Sequence, residues 1–232
     1  MISSPIIQRS TFLFLLLTTL LLLPWNITVR AQEKENVSFE WGFGVISSST
    51  AETKLTPVLK DTMLKSGDQI KMVVKLKRAC FVYVIHESPD GELILRFPYD
   101  FNQFTTDYTL AKNYYIPKGR DWFKLDKDIG RETFYLLASA ERLTDLEKML
   151  QQYKAADASA KPALAKDIVT EIRNVRKRYK TFTTYAERPI SIGGNVRGVE
   201  RAPSASRPDV ASIATEISAN NFYGRTFTLD HK

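Results

Sequence analysis

Between Phe97 and Phe123 the chain reads FPYDFNQFTTDYTLAKNYYIPKGRDWF, dense in aromatic rings with Asp100, Asn102, Asp107 and Asp121 between them. Rings beside amides and carboxylates can stack on sugars and hydrogen-bond their hydroxyls, which is the chemistry of a concave ligand site. Tyr99, Asp100, Asn102, Tyr108 and Trp122 are therefore the candidate ligand-binding residues. The same residue types also close the open ends of β-sandwiches and build turns, which is their commoner use. Asp100, Asn102 and Asp107 lack the dense oxygen-ligand spacing of a calcium loop, so no metal site is expected.

Catalytic chemistry finds little support. His86 and His231 are the two imidazoles in the chain. No Ser or Cys sits in a nucleophile-elbow context beside them. There is no phosphate-cradling glycine loop, no HExxH and no CxxC. Cys80, the single cysteine, cannot form an intramolecular disulfide. It alternates with Val82 and Val84 in the most apolar stretch, which reads as a small buried hydrophobe rather than a reactive thiol. No catalytic residue and no cofactor is expected. The alternative is an envelope hydrolase or carbohydrate-active protein working through residues 97–123, with a pair of the chain's many carboxylates.

The elements that must position these residues are extended. Ile70, Met72, Val74 and Leu76 alternate with Gln69, Lys71, Val73 and Lys75. That period of two marks a strand with one face to a core. Phe81 to Ile85 is apolar on both faces, as a central strand would be. Pro89 and Gly91 occupy the second and fourth positions of a type I turn. Leu93, Leu95 and Phe97 then alternate with Glu92, Ile94 and Arg96. Three consecutive antiparallel strands follow. Upstream, Val37, Phe39, Trp41, Phe43 and Val45 share one face of a further strand, while Gly42 and Gly44 leave the other face bare for another backbone or a ligand.

Gly67-Asp68, Tyr83, Asp90-Gly91, Phe97-Pro98, Ile116-Pro117, Gly130-Arg131-Glu132 and Leu137-Ala138-Ser139 together resemble a bacterial extracytoplasmic module, the family of domain of unknown function 4384. The resemblance covers roughly Leu64 to Leu150, with an echo in Thr226 to His231. The family has no established catalytic residues to carry over. It often accompanies kinase-like, caspase-like or repeat domains, none of which is present here. The resemblance implies binding or scaffolding.

After Ser139 the period changes. Thr144 and Glu147 have the spacing of a capping box, and Leu143, Leu146, Leu150 and Tyr153 follow at helical intervals. Past a break at Ala158 to Pro162, Ile168, Ile172, Val175 and Tyr179 form a second stripe. The pattern predicts a helical hairpin at about 144–180, inserted in the β domain. Opposite the second stripe, Lys166, Arg173, Lys177 and Lys180 fall in one row that could meet an anionic surface. A plain solvated face is the commoner reading of such a row. Thr181 to Ile192 reads as extended, Gly193-Gly194 as a turn and Gly198 to Asp209 as an exposed loop. Val210 to Ala219 is ambiguous, tilting to strand, and Thr226 to Leu229 closes the domain as a strand.

Met1 to Ala31 reads as a secretory signal peptide. Arg9 supplies its positive start, Phe12 to Leu23 its apolar run, and Val29-Arg30-Ala31 its cleavage site. The apolar run is shorter than the ~20 residues that span a bilayer, and no Cys follows it for lipidation. Removing the peptide takes Arg9 and Arg30 and no acidic residue, so the +7 chain stays basic. The remaining ~200 residues suit one domain. The expectation is a secreted or periplasmic, antiparallel β-sandwich-like domain, residues 32–232, not membrane-spanning after cleavage. Its role would be non-catalytic binding at the cell envelope. The expected partner is an envelope protein, a glycan or an anionic lipid surface, not nucleic acid.

Overall fold

Alternating apolar residues along the chain resolve into two packed sheets. The structure, a computed structural model, describes residues 36–49, 54–180, 185–189 and 207–232. The expected signal peptide, the Gly193-Gly194 turn and most of the loop before Asp209 lie outside the described residues, as does the side chain of Lys180. The strands are β1 (Val37–Ile46), β2 (Leu55–Pro57), β3 (Asp61–Leu64), β4 (Gln69–Leu76), β5 (Phe81–Glu87) and β6 (Leu93–Phe97). A one-turn helix, α1 (Gln103–Thr106), precedes β7 (Asn113–Ile116), β8 (Phe123–Lys124) and β9 (Gly130–Ser139). Helices α2 (Thr144–Ala155) and α3 (Lys161–Lys180) follow, then β10 (Tyr185–Pro189), a 3-10 turn (Val210–Ile213), β11 (Thr215–Ala219) and β12 (Phe222–His231).

The chain is mainly β, with two antiparallel-rich sheets and a few helices. One sheet has the order β10-β11-β1-β4-β7, with β2 beside β1 and β8 beside β4. The other has the order β3-β12-β9-β5-β6. Among the described pairings, β3 on β12 is the parallel one. Phe39, Trp41 and Phe43 of β1 point from the first sheet into a core shared with Val82, Val84, Phe134 and Phe227 of the second. The Phe43 ring meets Phe134 edge-on at 5.2 Å and Phe227 at 5.5 Å. That geometry suits the ring quadrupoles.

The second sheet is covered on both faces, which is why Phe81 to Ile85 is apolar throughout. Val82 and Val84 face the first sheet. Tyr83 and Ile85 face the helical hairpin, against Leu146, Leu150, Ile168 and Ile172. Each such side chain taken from water stabilises by about 1.5–3 kcal/mol. Asp157 starts α3, its carboxylate accepting the Ala160 N–H at 3.0 Å, and Pro162 is tolerated in the first turn.

Four readings from the sequence change on folding. Thr144 and Glu147 make no capping box: Leu143 stands at the N-cap with no side-chain cap bond. Glu147 instead turns inward, where it is buried and accepts from the Tyr83 hydroxyl at 2.6 Å. The strand β4 does not pair with β5: it lies in the first sheet, and the chain crosses to the second before Phe81. In β6 the alternation breaks, because Leu95 pairs with Ile85 and Phe97 with Val84, leaving Arg96 as an extra residue. That bulge turns Phe97 from the helix side into the inter-sheet core. Val210 to Ala219 is a 3-10 turn followed by a strand.

The 3-10 turn also settles the bare face at Gly42 and Gly44. A Cβ on Gly42 would lie 2.7 Å from the Val210 carbonyl oxygen, and one on Gly44 would lie 2.9 Å from Ile213 Cδ1. Gly42 makes room for another backbone, and Gly44 for the side chains of Leu55 and Ile213, so neither face is open to a ligand.

Candidate functional site

The five expected ligand-binding residues part company. The Asp100 carboxylate accepts the N–H groups of Asn102 at 2.8 Å and Gln103 at 3.2 Å, a turn that opens α1. The Asn102 carbonyl accepts from Thr105 and Thr106 at 2.9 and 3.1 Å. Tyr99 donates its hydroxyl to the Tyr115 carbonyl at 2.6 Å, and burial pushes its phenol up to about 12. Tyr108 is a packing residue: its ring meets Phe104 at 4.9 Å and its hydroxyl accepts the Val82 N–H at 2.9 Å. Burial holds that phenol well above its ordinary range. Trp122 stands elsewhere, its ring 5.9 Å from Lys71 Nζ on the first sheet. Tyr99, Asp100 and Asn102 thus share one surface, and Tyr108 and Trp122 are not part of it.

That surface is a groove of about 500 Å³. Its floor is Glu92 and the edge of β6 from Leu93 to Leu95. One wall is Tyr99 to Asn102, and the other is α2, through Leu150, Gln151 and Lys154. A second groove of about 480 Å³ continues it between the Asp90–Glu92 turn and the start of α3. Glu92, Tyr153 and Lys161 line both. Tyr153 is buried, its hydroxyl accepts the Leu93 N–H at 3.0 Å, and Lys161 Nζ lies 5.4 Å above its ring. Nothing in the sequence marked Tyr153, Lys154 or Lys161 as site residues. Tyr153 reads as the last apolar position of α2, and the two lysines read as solvated helix ends.

The imidazoles sit apart from the grooves. Arg96 Nη2 lies 2.9 Å from His86 Nδ1, while His86 Nε2 meets the buried Glu132 carboxylate. A guanidinium can only donate, so Nδ1 accepts and Nε2 carries the proton that goes to Glu132. The ring also stacks on Phe134 at 4.3 Å. Both nitrogens are engaged in holding Arg96 and Glu132, which leaves the neutral ring no lone pair for a substrate proton. His231 is buried with Nε2 3.1 Å from Ser66 Oγ, on a different strand. Cys80 is buried, and desolvation pushes its thiol up to about 11, so it stays protonated near neutral pH. Among the described residues no cluster of His, Cys, Asp and Glu could hold a metal ion.

Three of the four members of the basic row expected on α3 are described, the side chain of Lys180 lying outside the described residues. Lys166, Arg173 and Lys177 are exposed, opposite the buried Ile168, Ile172 and Val175. Glu171 pairs with Arg178 at 3.5 Å rather than with the row. Among the described residues no helix is long and apolar enough to cross a membrane.

The chain matches no curated protein. Residues 63–142, which carry β4 to β9 and with them β6 and the Tyr99–Asn102 wall, match the family model described as Domain of unknown function (DUF4384).

Proposed function

We propose that this protein is an exported, non-catalytic binding or scaffolding module of the bacterial cell envelope. Its ligand would sit in the paired grooves where the helical hairpin meets β6. The observation that supports this reading is convergence: three of the residues singled out for their chemistry line the same concavity as a buried tyrosine and two lysines. Concave sites of this size, apolar with a few placed polar groups, are the usual form of a ligand site. The engagement of both His86 nitrogens supports binding over turnover. Export rests on the leader, and cleavage after Ala31 would leave Gln32 as the new N-terminus, which mass spectrometry of the secreted or periplasmic protein reads directly.

The mature, isotope-labelled protein should be titrated with envelope glycan fragments, anionic vesicles and peptides. Amide shifts gathered on Glu92–Leu95, Tyr99–Asn102 and Leu150–Lys154 are expected. Shifts confined to other surfaces would overturn the groove as the site, and conversion of any added compound to product would overturn the non-catalytic reading.

A further inference from the structure

The groove along β6 has a feature that selects a class of ligand. Leu93, Ile94 and Leu95 are consecutive residues of β6, yet all three border it, next to Glu92 of the preceding turn. Side chains on a strand alternate between faces, so three in a row can line one groove only when the groove runs along the strand's edge, against its backbone. β6 is the outermost strand of its sheet. The Ser88 N–H bonds the Glu92 carbonyl at 3.0 Å, which sets the phase of the ladder with β5. In an antiparallel pair the main-chain groups of alternate residues then turn outward, here those of Leu93 and Leu95. Leu93 shows this directly, because its N–H reaches the Tyr153 hydroxyl in the groove; that donor is therefore taken, and the Leu93 carbonyl with the N–H and carbonyl of Leu95 are the groups left to a ligand.

We infer that this groove takes an extended peptide as an added strand on β6, with an acidic side chain at the Tyr153 end. The inference rests on the binding reading above and narrows it to one ligand class. An added strand bonds to the outward main-chain groups and gains specificity from pockets for alternate side chains. Here Leu95, Phe101 and Leu150 offer the apolar contacts. Charge decides the polarity of the ligand. Lys154 and Lys161 come from the hairpin wall, while the Asp100 carboxylate keeps its charge on the opposite wall, turned into its own turn by the Asn102 and Gln103 amides. The groove is balanced as a whole, but on its hairpin side Lys154 and Lys161 flank Tyr153 with Glu92 as the acid beside them, so an acidic ligand side chain is favoured there. A second copy of this chain is a poorer fit, because α2 stands as a wall beside the edge and a rigid sheet would run into it, whereas a single strand enters.

The test uses the mature protein and a capped octapeptide of alternating valine and threonine that begins with two glutamates. Binding is read by amide shifts and by calorimetry. Removing a main-chain bond should weaken binding roughly tenfold, both for a peptide methylated on alternate backbone nitrogens and for Leu95→Pro, whose lost N–H faces away from β5. Lys154→Glu with Lys161→Glu should weaken the glutamate peptide and favour one that begins with two lysines. Melting temperature accompanies each variant. If Leu95→Pro unfolds the protein, the methylated peptide decides alone. Equal binding of methylated and parent peptides, or groove shifts with a glycan and none with the peptide, would overturn strand addition and leave the groove intact as a ligand site. Peptide shifts away from β6 would overturn both readings. Self-association through β6 in sedimentation experiments would name a second copy as the occupant and overturn the peptide.

Discussion

Tyr83→Phe deletes one oxygen from the contact that fastens the hairpin to the sheet, and with it one wall of the groove. The Tyr83 hydroxyl donates to Glu147 at 2.6 Å and accepts the Leu143 N–H at 3.0 Å, all within the buried interior. Phe keeps the ring and its edge-on contact with Phe104 at 5.5 Å, so packing is held nearly constant. Two costs remain. A hydrogen bond to a charged acceptor contributes about 1.5–3 kcal/mol, and a buried amide left without a partner costs about 1–3 kcal/mol. Arg142 still pairs with Glu147 from the solvent side, which offsets part of the first. The expected loss is about 3 kcal/mol, which for a domain of this size lowers Tm by roughly 6–12 °C. Urea unfolding followed by circular dichroism measures it, and a cycle with Glu147→Gln should return a coupling of about 1 kcal/mol or more. A loss within ~0.5 kcal/mol of the parent, the range of ordinary surface changes, would refute the claim that this contact fastens the hairpin.

Val84→Asp places a charge in the fully buried inter-sheet core and should cost several kcal/mol, abolishing the cooperative thermal transition; a near-unchanged melting curve would mean that β5 is not an interior strand of its sheet. Burial first, then the carboxylates of Glu147, Glu87 and Glu187 that accept their protons, hold the Tyr83, Tyr135 and Tyr223 phenols well above the ordinary value of 10.0. These raised groups stabilise the fold fully below pH ~10 and lose that contribution as pH rises further, so unfolding free energy should be level to pH ~9 and fall steeply by pH ~11, and a profile flat through that range would contradict it. Changing Lys166, Arg173 and Lys177 to Gln should abolish sedimentation with anionic vesicles at low salt while leaving Tm unchanged, since all three are exposed and such charges act only within ~8 Å at physiological ionic strength. Equal recovery of parent and variant with neutral and anionic vesicles would mark the row as plain solvated surface.

What the sequence determined by itself is the local and periodic part of the protein. Period two places Phe39, Trp41 and Phe43 in a core, and period 3.6 places Leu146, Leu150, Ile168 and Ile172 on two buried helix faces, because alternation follows from backbone geometry alone. The turn at Ser88 to Gly91 is equally local, its Gly91 N–H bonding the Ser88 carbonyl at 2.9 Å. The continuous apolar run of β5 even announced that its sheet would be covered twice. Partnership is a different matter, since it depends on which distant residues meet. Glu147 has the spacing of a capping residue and spends its carboxylate on Tyr83, 64 positions away. Arg96 looks like the polar face of a strand until a bulge re-aims it at His86. Tyr108 and Trp122 share the chemistry of Tyr99, but the hydroxyl of the first is taken by a core amide and the second lies against another sheet. The groove exists because β6 ends its sheet and α2 overhangs that edge, and neither fact is written in any window of residues short enough to have a period.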